Sequence, residues 1–189
     1  MTEAKLDRRK KYTRMVLKDS MIKLLKEKQI SEITVKEICE LADVNRSTFY
    51  AHYLDLYDLL NKMEEEVLDD MKTYLYQYNF QKDEESIQMT ERILEYIVAN
   101  KEIAQILLHE NADPNFQKRV MKIAQKYLMD SWGLAKMLDE DFTHYLSIFT
   151  IGGCLQMIRE WLEGNLDQSP KEMAILINNF ANNGLSVVK

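Results

Sequence analysis

Little in this chain interrupts a helix. Two prolines and five glycines in 189 residues supply too few turns for the many short strands of a sandwich or barrel, so the expected class is all-α. The two cysteines, Cys39 and Cys154, are far apart and have no second Cys nearby to form a metal knuckle,. Each lies in an apolar helical pattern, as a buried thiol in a reducing cytosol would. No apolar run approaches the ~20 residues needed to cross a bilayer, and the basic N-terminus lacks the apolar core of a signal peptide. A cytoplasmic protein with no membrane partner is expected. Glycine is too scarce for a phosphate-cradling loop, and no nucleophile, base and orienter fall at a recognisable spacing, which argues against an enzyme. "HENAD", His109 to Asp113, offers an imidazole and oxygens at irregular spacing, so neither a metal nor a cofactor is expected.

What is present is helix-forming and unevenly charged. The composition, 46% apolar and 30% charged, is that of a globular protein, and the net charge of −6 argues weakly against a nucleic-acid partner,. Its distribution reverses that argument. Residues 1–53 carry twelve Lys and Arg against eight Asp and Glu, a net of +4, whereas the other 136 residues carry thirteen against twenty-three, a net of −10. Most of the positive charge lies in the first 28 residues, on Lys5, Arg8, Arg9, Lys10, Lys11, Arg14, Lys18, Lys23, Lys26 and Lys28. The domain boundary is placed where the sign changes, giving domains 1–54 and 55–189.

Helical periodicity accounts for nearly the whole chain. Leu17, Met21, Leu24 and Leu25, with Ser20 on the same side, predict a first helix over about residues 7–28,. Thr34 and Glu37 form a capping box before a short helix with Val35, Ile38, Cys39 and Ala42 on its apolar face,. Asn45 is a good N-cap for a third helix over about 46–53, and two short helices joined by "DVN" make a helix-turn-helix,. Asp55 and Asp58 suit the start of a fourth helix of about six turns, with Leu60, Met63, Val67, Met71, Tyr74 and Tyr78 stepping by three and four. Further helices are expected over 86–99, 101–109, 114–137, 141–164 and 170–186, nine in all. Pro114 and Pro170 each fall at a first helical position, and Ser169 with Glu172 forms a second capping box,.

The chemistry concentrates in "VNRSTFYAHY", Val44 to Tyr53. At 100° per residue Phe49 and Tyr53 share one face of the third helix, while Ser47, Tyr50 and Ala51 lie opposite, flanked by Arg46 and Thr48. Phe49 and Tyr53 are expected to fasten the helix to a small three-helix core, leaving Tyr50 outward among hydroxyls suited to phosphate oxygens. Arg46 can reach guanine O6 and N7 bidentately, and the small Ala51 permits close approach to a base edge. A capped helix with partly buried aromatics would explain the stretch alone; the tight turn and the basic first helix favour DNA.

"ITVKEICELADVNRSTFYAHYLDLYDLL", Ile33 to Leu60, resembles the N-terminal signature of the TetR family of bacterial transcriptional regulators (TetR/AcrR type), T-V-x-x-I-A-x-x-A-G-V-S-x-x-T-x-Y-x-H-F-x-x-K-x-x-L. Thr34, Val35, Ile38, Ala42, Val44, Thr48, Tyr50, His52 and Leu59 match in one register. The likeness covers the first third closely, and "GGCLQMIREWLEGNLDQSPKEM", Gly152 to Met173, is similar to the end of the penultimate helix and start of the last in one subgroup. By position the resemblance implies a DNA surface of Thr34, Lys36, Asn45, Arg46, Ser47, Thr48, Tyr50 and His52, with Arg46 and Lys36 chosen for base edges. Two departures stand out. Asp43 replaces the turn glycine, where positive φ is expected, and Leu56 occupies the position of a phosphate-binding lysine, for which Lys62 or the basic first helix is the available substitute.

The resemblance also implies a ligand-responsive homodimer, most simply a repressor, on a palindromic double-stranded DNA operator. A coactivator or sensor acting through a protein partner is the alternative. Phe149, Gly152, Gly153, Met157, Trp161, Met173, Ile177 and Phe180 are the expected interface, on the last two helices. Met71, Tyr74, Tyr78, Met89, Tyr96, Met121, Tyr127 and Met129 would line a pocket for an unknown small-molecule effector, Met and Tyr making an adaptable wall with polar tips. Ordinary core filling is the stronger explanation for any one of these taken singly.

Overall fold

The computed structural model describes the backbone of residues 3–77, 83–109, 112–132, 140–164 and 166–186, and the side chains of 8–77, 84–109, 112–126, 144–164 and 166–181. The described residues form nine α-helices and no strand: α1 (Glu3–Leu25), α2 (Val35–Leu41), α3 (Arg46–Tyr50), α4 (Leu56–Gln77), α5 (Asp83–Ala99), α6 (Lys101–Leu108), α7 (Pro114–Trp132), α8 (Glu140–Glu163) and α9 (Pro170–Ser186). The all-α reading holds, and no described helix is long and apolar enough to cross a membrane. The chain divides into two compact units, Met1–Val67 and Leu68–Lys189, so the packing boundary falls inside α4, beyond the change of charge at residue 54.

In the first unit Leu17 and Met21 of α1, Ile38 of α2, Phe49 of α3 and Leu59 of α4 are fully buried. The α1 helix begins earlier than its apolar pattern and ends at Leu25, because Lys26 to Lys28 continue as a turn with Lys28 N donating to Leu24 O at 3.0 Å. Thr34 caps α2 as expected: Glu37 N donates to Thr34 Oγ1 at 3.3 Å, and Thr34 N donates to Glu37 Oε2 at 2.8 Å. Asp43 turns the chain between α2 and α3 at φ 52°, the left-handed conformation anticipated for the position where the related signature has glycine,. The α3 helix is shorter than expected. It stops at Tyr50 because His52 N and Tyr53 N both donate to Phe49 O, each at 2.9 Å, closing a turn.

The burial stripe of α4 also differs from the one read in the sequence. Leu56, Leu59, Met63, Leu68 and Leu75 are buried, whereas Leu60, Val67, Met71 and Tyr74 are half-buried. A helix that passes from one unit into another meets a different core in each half, so a single stripe does not describe it.

In the second unit α5, α8 and α9 enclose a core of Leu94, Ile158, Trp161, Leu162, Met173, Ala174 and Ile177. Buried Asn178 crosses it with polar bonds, its Nδ2 donating to Thr90 Oγ1 at 2.9 Å and to Ala174 O at 2.8 Å. Ser169 Oγ donates to Glu172 Oε2 at 2.7 Å in the second capping box, and the Ser169 backbone N–H and hydroxyl hold the Glu172 carboxyl below its ordinary pKa.

Candidate nucleic-acid interface

The local geometry divides the aromatics of α3 as the helical wheel requires. Phe49 is fully buried, and its ring meets Tyr53 at a centroid distance of 5.8 Å. Tyr50, next in the chain, is 58% exposed. Thr34, Lys36, Asn45, Arg46 and Ser47 are exposed as well, and Thr48 and His52 are half-buried. Asn45 does not cap with its side chain; the first turn of α3 is closed by its backbone, Thr48 N donating to Asn45 O at 2.9 Å, so the exposed amide has no capping duty. The Lys36 ammonium lies 3.7 Å from Glu40, an exposed pair one helical turn apart and weakly held,.

Arg9, Lys10 and Thr13 of α1 and Ser47, Thr48, Ala51 and His52 around α3 line one cleft of about 270 Å³. Three residues expected at the DNA surface thus meet two cations of the first helix. Sequence reasoning had identified those cations only as members of a basic run; the helix crossing supplies the pairing. Burial lowers the His52 pKa, and Arg14, Lys10 and Lys62 lower it further by charge repulsion. Both effects favour the neutral imidazole, and the surrounding field is positive,.

Two other cations of this unit are internally paired. Lys18 meets Glu66, and Lys28 Nζ donates to Glu37 Oε1 at 2.5 Å. With Lys28, Thr34 Oγ1 and Thr34 N around it, the Glu37 carboxyl falls to about 2. Leu56, at the usual lysine position, is 7% exposed and packs into the core. Lys62, the substitute offered by the sequence, is bonded to His52 O and Asp58 instead.

The other expected sites separate into groups. Phe149 and Phe180 are 80% and 66% exposed, and with Gly153, Met157, Ile177 and Leu176 they line an apolar groove of about 610 Å³ between α8 and α9. A Cβ on Gly152 or Gly153 would meet nothing within 4 Å, so neither glycine serves a close approach among the described residues of this chain. Trp161 and Met173, expected at an interface, are instead buried in the unit's own core, where Trp161 Nε1 donates to Gln168 O at 3.0 Å. Ile177 belongs to both core and groove.

Of the expected pocket residues, Met71 and Met89 pack with Leu75, Ile93 and Ile123. The Tyr74 and Tyr96 rings lie 5.7 Å apart, and Met121 is half-buried. Tyr78 and the side chains of Tyr127 and Met129 lie outside the described residues. Cys39 and Cys154 are free, one buried and one half-buried, and burial raises both thiols above their ordinary pKa. Among the described residues no cluster of three potential metal ligands occurs.

Residues 84–183 match the family model of a TetR-type transcriptional regulator C-terminal region. The matched family is one of transcriptional regulators, not of enzymes, and the chain belongs to it, the TetR family. The chain is similar to a TetR transcriptional regulator from Streptococcus agalactiae 2603V, with a TM-score of 0.64 at 23% identity over 95% of this chain and 99% of that one. It is also similar to the regulator FadR from Bacillus subtilis, solved with stearoyl-CoA, with a TM-score of 0.65 at 14% identity over 88% and 96% of the two chains. A stretch of 56 residues is 39% identical to the uncharacterized HTH-type transcriptional regulator YxbF of Bacillus subtilis (strain 168), covering 30% of this chain and 14% of that relative's length.

Proposed function

We propose that the chain is a sequence-specific DNA-binding repressor that grips a palindromic operator as a homodimer and is released by a small-molecule effector. The observation that carries this reading is the cleft in which Arg9 and Lys10 converge on Ser47, Thr48 and His52. Cations and hydroxyls on two helices suit a phosphate backbone, while exposed Arg46 at the start of α3 suits a base edge,. Thr34, Lys36, Asn45 and Tyr50 complete the proposed surface. A single short recognition helix reads few base pairs, so pairing across the α8–α9 groove supplies the second half-site. Phe149, Gly152, Gly153, Met157, Ile177 and Phe180 form that proposed face. The effector would take up the Met71, Tyr74, Met89, Tyr96 and Met121 region; an apolar body with a polar tip fits it, and a long-chain acyl-CoA is the first compound to test.

The test is selection of duplexes by the purified chain from a random-sequence pool, followed by fluorescence anisotropy. Palindromic enrichment is expected. Arg46→Ala should lose about 1–3 kcal/mol of preference at one position per half-site, and Lys10→Ala should weaken all sequences alike, with a salt slope smaller by about 1. Equal affinity for selected and scrambled duplexes would overturn the reading. Burial of Leu56 where a phosphate-binding lysine is usual favours a second reading, a regulator acting through a protein partner. Co-purification of a second protein, with no DNA retention, would select it.

A further inference from the structure

The geometry points to Lys62 as a positioning residue that fixes the turn leaving the recognition helix, and not as a phosphate contact replacing the lysine absent at position 56. The inference rests on the DNA-binding reading above and concerns how the recognition helix is held. Lys62 lies in the second turn of α4, ten residues beyond His52. Its Nζ donates to His52 O at 3.2 Å and to Asp58 Oδ2 at 2.9 Å. The same ammonium stands over the Tyr53 ring, 5.1 Å from its centroid, and Tyr53 is buried against Phe49.

Asp58 extends the tie in the other direction. Its Oδ2 accepts the Leu54 N–H at 2.9 Å, and its own N–H donates to Asp55 Oδ1 at 2.8 Å. One ammonium and one carboxylate therefore bind the backbone on both sides of Tyr53 to the first two turns of α4. The shortness of α3 leaves room for such a tie. It has only five residues, and the turn after it is closed by two N–H groups sharing the Phe49 carbonyl, so the His52 carbonyl lies beyond the helical ladder, where a side chain can reach it,. Lys62 satisfies it. Phe49 fixes how deeply α3 sits, and Lys62 fixes how it is rotated relative to α4. Ser47, Thr48 and His52, which face the basic cleft, take their orientation from that rotation.

Lys62→Met retains the aliphatic stem and removes the charge and the hydrogen bonds; Lys62→Arg keeps the charge and the ring contact. Two readouts decide. In hydrogen exchange on the DNA-free protein, the amides of residues 51–54 should exchange about tenfold faster in Lys62→Met, as expected for loss of one charge-assisted bond, with Lys62→Arg close to wild type. In anisotropy with a duplex selected by the wild-type chain from a random pool, Lys62→Met should bind about tenfold more weakly with an unchanged salt slope. A slope smaller by about 1 makes Lys62 a phosphate contact and overturns the inference, as does unchanged exchange at residues 51–54. Wild-type protein that selects no sequence refutes the DNA-binding reading separately, while the exchange readout still decides whether Lys62 holds the turn.

Discussion

Phe49 and Tyr50, adjacent in the chain, meet edge to face with ring centroids 5.4 Å apart and planes at 88°, yet one is wholly buried and the other stands in solvent. That division separates stability from recognition and can be measured. Phe49→Ala removes a buried ring from a core of few residues and should cost about 3–5 kcal/mol in urea unfolding. Tyr50→Phe removes only an exposed hydroxyl, so stability should stay within about 0.5 kcal/mol. Affinity for selected and scrambled duplexes should fall together by about 1 kcal/mol, because a hydroxyl on a phosphate carries no sequence information. A change of sequence preference in Tyr50→Phe would show that the phenol reads a base.

Glu37 ties the start of α2 to the turn after α1 by accepting from Lys28 and from Thr34. Its carboxyl titrates at about 2 in the folded chain against 4.5 ordinarily. For a lowered carboxylate the stabilisation is fully present above the unfolded pKa and disappears as pH falls through the folded one. Thermal unfolding should therefore lose stability progressively between pH 4.5 and about 2,. Glu37→Gln should flatten that limb and lower the melting temperature at pH 7. Part of the limb persists in the variant, because Asp58 and Glu172 are lowered in the same sense. Thr34→Ala should cost about 1 kcal/mol through the lost cap.

Asp43 holds φ 52°, a conformation in which a Cβ is strained and glycine is not,. Asp43→Gly should relieve that strain against the greater freedom of glycine in the unfolded chain, for a net gain of about 0.5 kcal/mol. The melting temperature is the measurement. The exposed Asp43 side chain also places a negative charge in the turn before α3, the proposed recognition helix. DNA affinity should accordingly rise at low salt and converge with wild type at high salt. Asp43→Asn, which removes the charge and keeps the Cβ, should show the affinity change without the gain in stability.

The head of this protein was largely legible because its signals are local. A capping box needs two residues three apart, and Thr34 with Glu37 formed it; a helical wheel needs only 100° per residue, and it separated Phe49 from Tyr50. The end of α3 was not legible, since the pattern of residues 46–53 stays helical through Tyr53 while the chain closes a turn on the Phe49 carbonyl. The bonds of Lys62 are hidden for a related reason. A lysine near a DNA surface suggests phosphate, and only the fold places it against a carbonyl ten residues earlier. In the body, Trp161 and Met173 share a stripe with true surface residues, and periodicity identifies an apolar face without saying which neighbour covers it. The pairing of Arg9 and Lys10 with α3 depends on a helix crossing that no spacing encodes.

The α8–α9 groove yields a prediction in which stability and association move in opposite directions. Gly152 and Gly153 have no neighbour within 4 Å of an added Cβ, so replacing each with Ala should favour the helix by about 1 kcal/mol in the isolated protomer,. In the proposed homodimer the same methyls would stand between two closely packed helices, and sedimentation equilibrium should show weaker association with no loss of helix in the circular dichroism spectrum. Phe149→Glu tests the aromatic rim of the same face. A ring that is 80% exposed in the single chain contributes little to its folding, so the variant should melt as wild type does,. If Phe149 anchors the partner, the charge should raise the dimer dissociation constant by at least about thirtyfold, the cost of losing an interface anchor of about 2 kcal/mol. A variant that remains dimeric at the same concentration would assign the groove to another occupant and leave the second half-site of the operator to be reached by a different pairing.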